Sequence, residues 1–525
     1  MSRKLWIFVV AIGLALGMGR SAFAQDPSTE VLKARLDQQE KQIQAQWDII
    51  QRLQAAPTSP MVGGPQSGVM MNSPATGAQL NQGEVSKIVG EVLNERDQKK
   101  KADDAAAKKK ADDEGFKIGS ETNMTVRWKD YGVWIETPHK DFVAHVGGWV
   151  QLENVFWNES PNLISTGKNP VGELEDGNFW RRLRLQLNGQ VFDVFEYDFI
   201  YAFETTPNGV TSLDDFWMGA KDIPFIGTLR AGHFHTPTGL EGDQFSSSVG
   251  MTFLERSSMT DAFTANLGTG VLQSNAWFDQ CVTFSSAFFR QDIGVNSGTF
   301  FGDGEYAAAG RLTCLPYYEN DGRCLVHLGA DVSWYHATRG GNETVDPQFV
   351  RLRARPEMRD SQGLYDGASH DGALLPGNAG RLVDTGNIQC DSKSVYDTEF
   401  LWIAGPFSVQ AEYSWCAVNA AVINKKERGD LWFDGGYLQL SYFLTGENRT
   451  YDKRFGKLGR TGIASPNTPF WVVNDENGGF NWGIGAWEIA ARWSHLNLNN
   501  AEGPVLGGIM DGLTLGVNWY LNNNF

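Results

Sequence analysis

The chain has 525 residues, of which 41% are apolar and 20% charged, with a net charge of −17 and a mean hydropathy of −0.33. These values exclude a helical membrane protein, whose spans each need ~20 apolar residues, and argue against nucleic-acid binding through a broad basic surface. The load of 31 Phe, 18 Trp and 14 Tyr excludes a wholly disordered chain, 59 Gly suit many strands and turns, and five Cys make no disulfide framework in this length.

Residues 1–24 read as a secretory signal peptide. Arg3 and Lys4 form the charged start, Ile7 to Leu16 the apolar stretch, and Ala22, Phe23 and Ala24 the cleavage site, so the mature chain is expected to begin at Gln25. The apolar stretch is short for an uncleaved anchor helix. Residues 25–54 are expected to form a coiled coil. Leu36, Ile43 and Ile50 are seven apart, Leu32 and Leu53 extend the seam, and Gln39 and Gln46 place polar layers in it. A single such helix is marginal in water, so the pattern implies self-association; the other reading is a solvated lone helix. Residues 55–115 form a linker and a charged spacer. Pro57, Pro60, Gly63, Gly64, Pro65, Gly68, Pro74 and Gly77 mark the linker, and alternating acidic and basic blocks fill 97–114.

From Phe116 the pattern changes to alternation over ~10 residues. Leu183, Leu185 and Leu187 oppose Arg182, Arg184, Gln186 and Asn188; Phe195, Tyr197, Phe199, Tyr201 and Phe203 oppose Glu196, Asp198 and Glu204. The same alternation marks 407–415, 487–494 and 513–521. A soluble sandwich also alternates. Here, though, the apolar faces are loaded with aromatics, as in a lipid-facing girdle, and the polar faces carry both charge signs, as if lining water. The expected fold of 116–525 is therefore all-β, a transmembrane antiparallel β-barrel in the outer membrane. Candidate strands lie near 142–156, 178–189, 194–205, 212–220, 227–235, 270–279, 281–291, 306–315, 324–336, 395–404, 407–417, 436–445, 484–495 and 512–521, with further strands expected in 345–395 and 448–475. Residues 316–321 should be a periplasmic turn, and 338–393 an extracellular or pore-entering loop.

Several segments resemble the phosphate-selective porin O and P family: FWRRLRLQLNG (179–189), TLRAGHFHTPTGLE (228–241), TFLERS (252–257), RLVDTGNI (381–388), GPFSVQAEY (405–413), YFLTGE (442–447), GAWEIAARWS (485–494) and LTLGVNWYL (513–521). They fall in order across the expected barrel. The resemblance implies about sixteen strands, possibly fewer here, a homotrimer in outer-membrane lipid, and a loop folded inward with basic side chains that attract small inorganic anions such as phosphate. Two departures stand out. The chain stops soon after the NWYL strand, so either two strands come from elsewhere, or the barrel is smaller, or the chain is truncated. The SSS segment at 246–248 continues as Val249–Gly250 where phosphate-specific members can carry Lys.

A pore selects ions through charged side chains in its lumen. From Phe116 onward, 30 Lys and Arg stand against 48 Asp and Glu, a balance of −18 that argues against a wholly basic tunnel. Average charge does not set the field at a narrow point, however, and 20 of the 30 cations are Arg, suited to bidentate oxyanion contacts. The candidate channel-lining residues are Arg182, Arg184, Arg256, Arg351, Arg353, Arg355, Arg359 and Arg381. Arg351, Arg353 and Arg355 alternate, so an extended segment points them one way, ~6–7 Å apart, as a ladder for an oxyanion; the other reading is a solvated loop tip. Arg182 and Arg184 belong to a polar strand face and either meet ions or pair with Glu196 and Asp198 on the next strand. Arg181, on the other phase, should sit near an interface. Arg256 falls where the inward loop should begin, with Glu255 as its partner or as a structural anchor, and Asp214, Asp215, Glu241 and Asp243 facing the basic wall. His233 and His235 share a strand face without a third metal ligand in view and read as structural. Cys314 and Cys324 flank the 316–321 turn, where a hairpin disulfide is open to them.

No phosphate-cradling Gly loop, nucleophile elbow or zinc spacing is present in the sequence, so neither enzyme activity, cofactor nor metal is expected. The expected function is passive diffusion of small hydrophilic solutes, with an anion preference at the Arg positions. Two alternatives stand beside it: a structural protein contacting the cell wall through residues 25–115, and a general, weakly cation-selective porin.

Overall fold

The computed structural model describes residues 119–525 apart from 121–122, 130–131, 159, 162–175, 204–211, 243–249, 265–266, 292–305, 340–347, 359–380, 464 and 475–479. The signal peptide, the coiled coil and nearly all of the spacer lie outside the described residues. No helix among those described is long and apolar enough to cross a membrane.

The wall is an antiparallel sheet whose strands pair in sequence order. We number its main strands β1 (Thr125–Lys129), β2 (Gly132–Glu136), β3 (Phe142–Val155), β4 (Gly177–Val191), β5 (Phe195–Ala202), β6 (Ser212–Ile223), β7 (Gly227–His235), β8 (Leu267–Trp277), β9 (Val282–Gln291), β10 (Tyr306–Glu319), β11 (Cys324–His336), β12 (Ser392–Ala404), β13 (Phe407–Ile423), β14 (Lys426–Phe443), β15 (Ala486–Asn500) and β16 (Val505–Tyr520). Three short strands, Thr338–Arg339, Gln348–Val350 and Ile388–Gln389, bring the sheet to nineteen. Among the described residues no ladder joins β16 back to β1.

All fourteen expected strands are present, several of them longer at one end. The two that complete sixteen lie at the amino end, in β1 and β2, and not in 345–395 or 448–475. Those two regions hold only short paired pieces, such as Arg353–Ala354 with Val383–Asp384 and Arg449–Asp452 with Lys457–Ile463. β1 and β2 are five residues each, too short for alternation to stand out.

The two faces of the wall follow the sequence pattern. Leu183, Leu185 and Leu187 are exposed outward, while Arg182 and Gln186 between them are fully buried inside. On β16, Leu513, Leu515 and Val517 stand outward at 66–74% exposure, a face that lipid would cover. Stacked rings such as Trp487 on Trp519, 5.0 Å apart, continue that face. One end of the barrel carries turns of two to five residues: 137–141, 192–194, 224–226, 278–281, 320–323 and 405–406. The other end carries the long connections 156–176, 236–266, 292–305 and 337–391. The connection 444–485 breaks this rule, being long although it joins strands at the short-turn end.

Two local expectations are corrected. The 316–321 segment is not the turn: β10 runs on through Glu319 and turns at 320–323. Pro316, which has no N–H to give a ladder, sits where the β10–β11 register shifts between Cys314 and Tyr317. Cys314 therefore pairs with Leu328 while Cys324 pairs with Glu319. That separates the two cysteines by roughly 15 Å along the ladder at ~3.3 Å per residue, beyond disulfide reach, and both are free thiols.

Candidate functional site

The segment 236–266 leaves the long-loop end and runs inside the wall. It hydrogen-bonds to β4, β11, β13, β14, β15 and β16 through Arg181, Asp331, Glu412, Gln439, Arg492 and Asn518. A loop without its own ladder must place its backbone N–H groups elsewhere. Here the wall supplies carboxylates: Gly239 N–H donates to Asp331 at 2.6 Å, and Leu240 and Glu241 N–H both donate to Glu412. Gly239 has φ +67, and a Cβ there would lie 2.7 Å from Glu412 Oε1, so the turn needs glycine twice over. Glu241 then accepts from Ser257 N and Oγ at 2.8 Å and from Thr260 Oγ1 at 2.9 Å, fixing the start of the short helix α1 (Ser258–Phe263). Its other oxygen takes Arg492 at 3.2 Å.

Residues 351–358 of the long 337–391 connection pack beside α1. Leu352 and Ala354 are fully buried. Glu357 accepts from Ser258 N at 3.1 Å and from Arg492 at 2.6 Å. From the opposite end of the barrel comes the hairpin 449–463. Arg311 on β10 donates to its carbonyls at Phe455 (3.2 Å) and Gly456 (2.9 Å), and its Arg454 holds Glu196 at 2.9 Å.

These inward segments leave two cavities along the inner face of β6 and β7. The first, about 180 Å³, is lined by Arg181, Arg184, Arg256 and Arg355, by the carboxylates of Asp214, Glu255, Asp261 and Glu357, and by His235. The second, about 220 Å³, is lined by Arg230, Lys457, Asp215 and Asp452 together with Trp217, Phe234 and Phe455. His235 borders both, and its Nε2 lies 3.5 Å from Asp215 Oδ2. Arg230 stands over Trp217 at 4.0 Å and over Phe455 at 4.6 Å, which holds its guanidinium flat against the wall.

Residues 169–525 match the phosphate-selective porin O and P family. The chain belongs to that family. It is 25% identical to Porin O of Pseudomonas aeruginosa over 409 residues, 75% of this chain and 83% of the relative. It is 27% identical to an uncharacterised protein of Caulobacter vibrioides over 348 residues, 65% of this chain; the match spans only 59% of that relative's length. Among solved structures, Salmonella typhi OmpF in complex with daunomycin is similar at 11% identity, over 73% of this chain and 99% of that one, with a TM-score of 0.35. OmpT of Vibrio cholerae lacking its loop L8 is similar at 12% identity, over 66% and 82%, with a TM-score of 0.34. As a member of this family, the chain is an outer-membrane porin.

Within the porin, Arg184, Arg256 and Arg355 reach the first cavity from three separate elements. Arg184 is ion-paired with Asp214 on β6. The β4–β5 register sets Glu196 opposite Gln190 and Asp198 opposite Asn188, with Arg184 opposite Ala202. Arg182 is fully buried and donates to Gln151 at 2.5 Å. Arg256 donates Nε–H to the Glu241 carbonyl at 3.0 Å, while its buried Nη2 has no hydrogen-bond partner among the described residues. Glu255 pairs with Arg181, not with Arg256.

Arg351 is clamped to Asp384 at 2.5 Å, and Arg353 lies opposite Asp384 in the short ladder. Burial raises the Asp384 carboxyl, but the Arg351 hydrogen bonds, the Gly386 N–H and the two Arg charges outweigh it and hold Asp384 below the usual carboxylate range. Arg381 donates to Asp261 at 2.7 Å, and Asp261 also accepts from Arg355 N–H at 3.0 Å. Arg359 and Asp243 lie outside the described residues.

Arg181 does not sit at an interface. The β3–β4 register passes from Gln151 opposite Arg182 to Leu152 opposite Trp180, so Arg181 is the extra residue of a β-bulge. The bulge turns it inward beside Arg182, 9% exposed and bonded to Glu255, while Trp180 faces out. Strict alternation cannot show a bulge; two adjacent Arg flanked by Trp180 and Leu183 was the one signal available. Asp214, Asp215 and His235 each bring a potential ligand atom within 4.8 Å of the others, so His235 has acidic neighbours that its spacing from His233 did not reveal. Arg230, Arg311, Arg454 and Lys457 also escaped the sequence reading, because only the inward course of 449–463 gives them a role.

Proposed function

We propose that this porin passes small hydrophilic solutes passively and prefers inorganic oxyanions such as phosphate, which the family's name also suggests. The reading rests on Arg256. Arg256 borders the first cavity, and its buried Nη2 lacks an acceptor among the described residues. Leaving a buried charged donor unmade costs about 1–3 kcal/mol or more, and an oxyanion entering the cavity supplies the acceptor. Arg181, Arg184 and Arg355 stand around the same space, with Arg184 exchangeable between Asp214 and the permeant. Beyond His235, Arg230 and Lys457 offer the next cationic stop. Assembly as a homotrimer, and contact of residues 25–115 with the cell wall, belong to the same proposal and are read by crosslinking the full chain and by deleting 26–114.

Planar-bilayer conductance in a KCl gradient tests the anion preference. The wild-type reversal potential is expected on the anion side, with added phosphate reducing the chloride current. Arg256→Gln with Arg355→Gln should move the reversal potential toward cations and abolish the phosphate effect. A cation-side potential in the wild type, or a double variant that behaves like it, sinks the anion reading. The general, weakly cation-selective channel then takes its place, as four carboxylates in the first cavity and the balance of −18 would allow.

A further inference from the structure

A third cavity lies between the 238–242 turn and strands β11–β13. It measures about 10 Å³ and is bordered by Thr238, Asp331, Ser333, Asp397, Glu412 and Ser414, space for one water-sized occupant. Ser333 is fully buried and Asp397 is 5% exposed. Ser333 Oγ and Asp397 Oδ2 have no hydrogen-bond partner among the described residues, so two buried, unpartnered oxygens from neighbouring strands belong to residues that border one void.

Two of the carboxylates at this void, Asp397 and Glu412, lack a counter-charge among the described residues. Glu399 is held by Arg311 and His327, and Glu241 by Arg492. Asp397 accepts only from the Ser414 hydroxyl, and Glu412 from the Tyr437 hydroxyl and two backbone N–H groups. Neither has an ion pair among the described residues. Asp331, whose Oδ2 takes Gly239 N–H, adds a third carboxylate. Buried carboxylates need a counter-charge or a proton. A proton on Asp397 would lower the local charge but would leave Ser333 Oγ as it is. A cation satisfies both oxygens at once.

We propose that this cavity binds one hard divalent cation, Ca²⁺ in preference to Mg²⁺, through Asp331, Asp397 and Ser333, with Glu412 beside it. Oxygens of Asp331, Asp397 and Glu399 lie within 4.8 Å of one another, the span expected across an ion with Ca–O distances of about 2.3–2.6 Å. The side chains that border the void bring no histidine or cysteine, which excludes the softer transition metals as preferred guests. Mg²⁺ keeps several waters, for which the cavity has no room. The ion sits against Gly239 and locks the 238–242 turn to the wall, a role independent of which solute the channel passes.

The test uses the full chain refolded in detergent without lipopolysaccharide, which itself binds Ca²⁺. Calorimetry with Ca²⁺, and Tb³⁺ luminescence sensitised by nearby rings such as Tyr437, should report one site per chain. Chelation should lower the thermal midpoint. Asp397→Asn should weaken Ca²⁺ by at least about ten-fold, and the milder Ser333→Ala should weaken it less while keeping the fold. A folded wild-type chain that takes up no Ca²⁺ overturns the proposal, as does equal Ca²⁺ binding by folded wild type and Asp397→Asn.

Discussion

Two irregular segments enter the lumen from opposite ends, and the wall holds them by opposite chemistry. The 238–242 turn points N–H groups outward, and the wall meets them with Asp331 and Glu412. The 449–463 hairpin points carbonyls outward at Phe455 and Gly456, and the wall meets them with Arg311. Backbone inside a barrel has neither ladder nor bulk water to satisfy it, so each exposed group calls for a side chain of matching sign. The two systems adjoin: Arg311 is also bidentate to Glu399 at 2.7 Å on both contacts, one strand from Glu412. Acid and base on the inner wall thus serve first to hold the inward segments, and only what remains can face a permeant. That is why a barrel balance of −18 says little about selectivity.

The comparison breaks most visibly at Arg311. Arg311→Ala leaves Glu399 with His327 alone and removes the donor of two carbonyls in a buried site, and a cost of about 3–5 kcal/mol is expected; detergent unfolding should show it, with larger and noisier single-channel currents as the hairpin loosens. Glu412→Ala removes the acceptor of three donors, at about 1–3 kcal/mol for each donor left unmade, partly offset by removing a buried carboxylate. It should free the turn at Gly239 and not the hairpin. If both variants widen the channel in the same way, the two holds are not separate.

A smaller effect sharpens the same contrast. The Arg351–Asp384 clamp lies in the 337–391 connection, and as a part-exposed pair it is worth below about 1 kcal/mol. A carboxyl held below its ordinary value contributes stability above the unfolded-state value and loses it as pH falls through the folded one. The clamp should therefore persist at pH 5 and release only below the ordinary Asp value of 3.8. Wild type and Asp384→Asn should differ in open-channel noise at pH 7 and converge only in that acid range. Convergence already at pH 5 would refute the lowered carboxyl.

Much of this was legible from residues. Alternation located fourteen strands, since a wall wet on one side and oily on the other imposes period two on every strand that crosses it. It also turned Arg182 and Arg184 inward, while Arg256 was read from the expected start of the inward loop. β1 and β2 were missed because five residues hold too few alternations, and Arg181 was misplaced because a bulge inserts one residue without a sign in the pattern. Pro316 was taken for a turn when it occupies a register shift within β10. Arg351 was read with its neighbours as a ladder, whereas Asp384, thirty-three residues away, clamps it.

Period, aromatic load and charge phase belong to single strands, so the sequence by itself determined the barrel, its two faces and the inward phase of Arg182 and Arg184. Which carboxylate meets which arginine depends on ladder register and on the course of segments that cross the lumen. Those are contacts between residues as far as 266 positions apart, as Thr252 and Asn518 are. Local pattern carries no information at that range, so the cavities, their lining and the divided labour of the wall charges were decided by the tertiary structure alone.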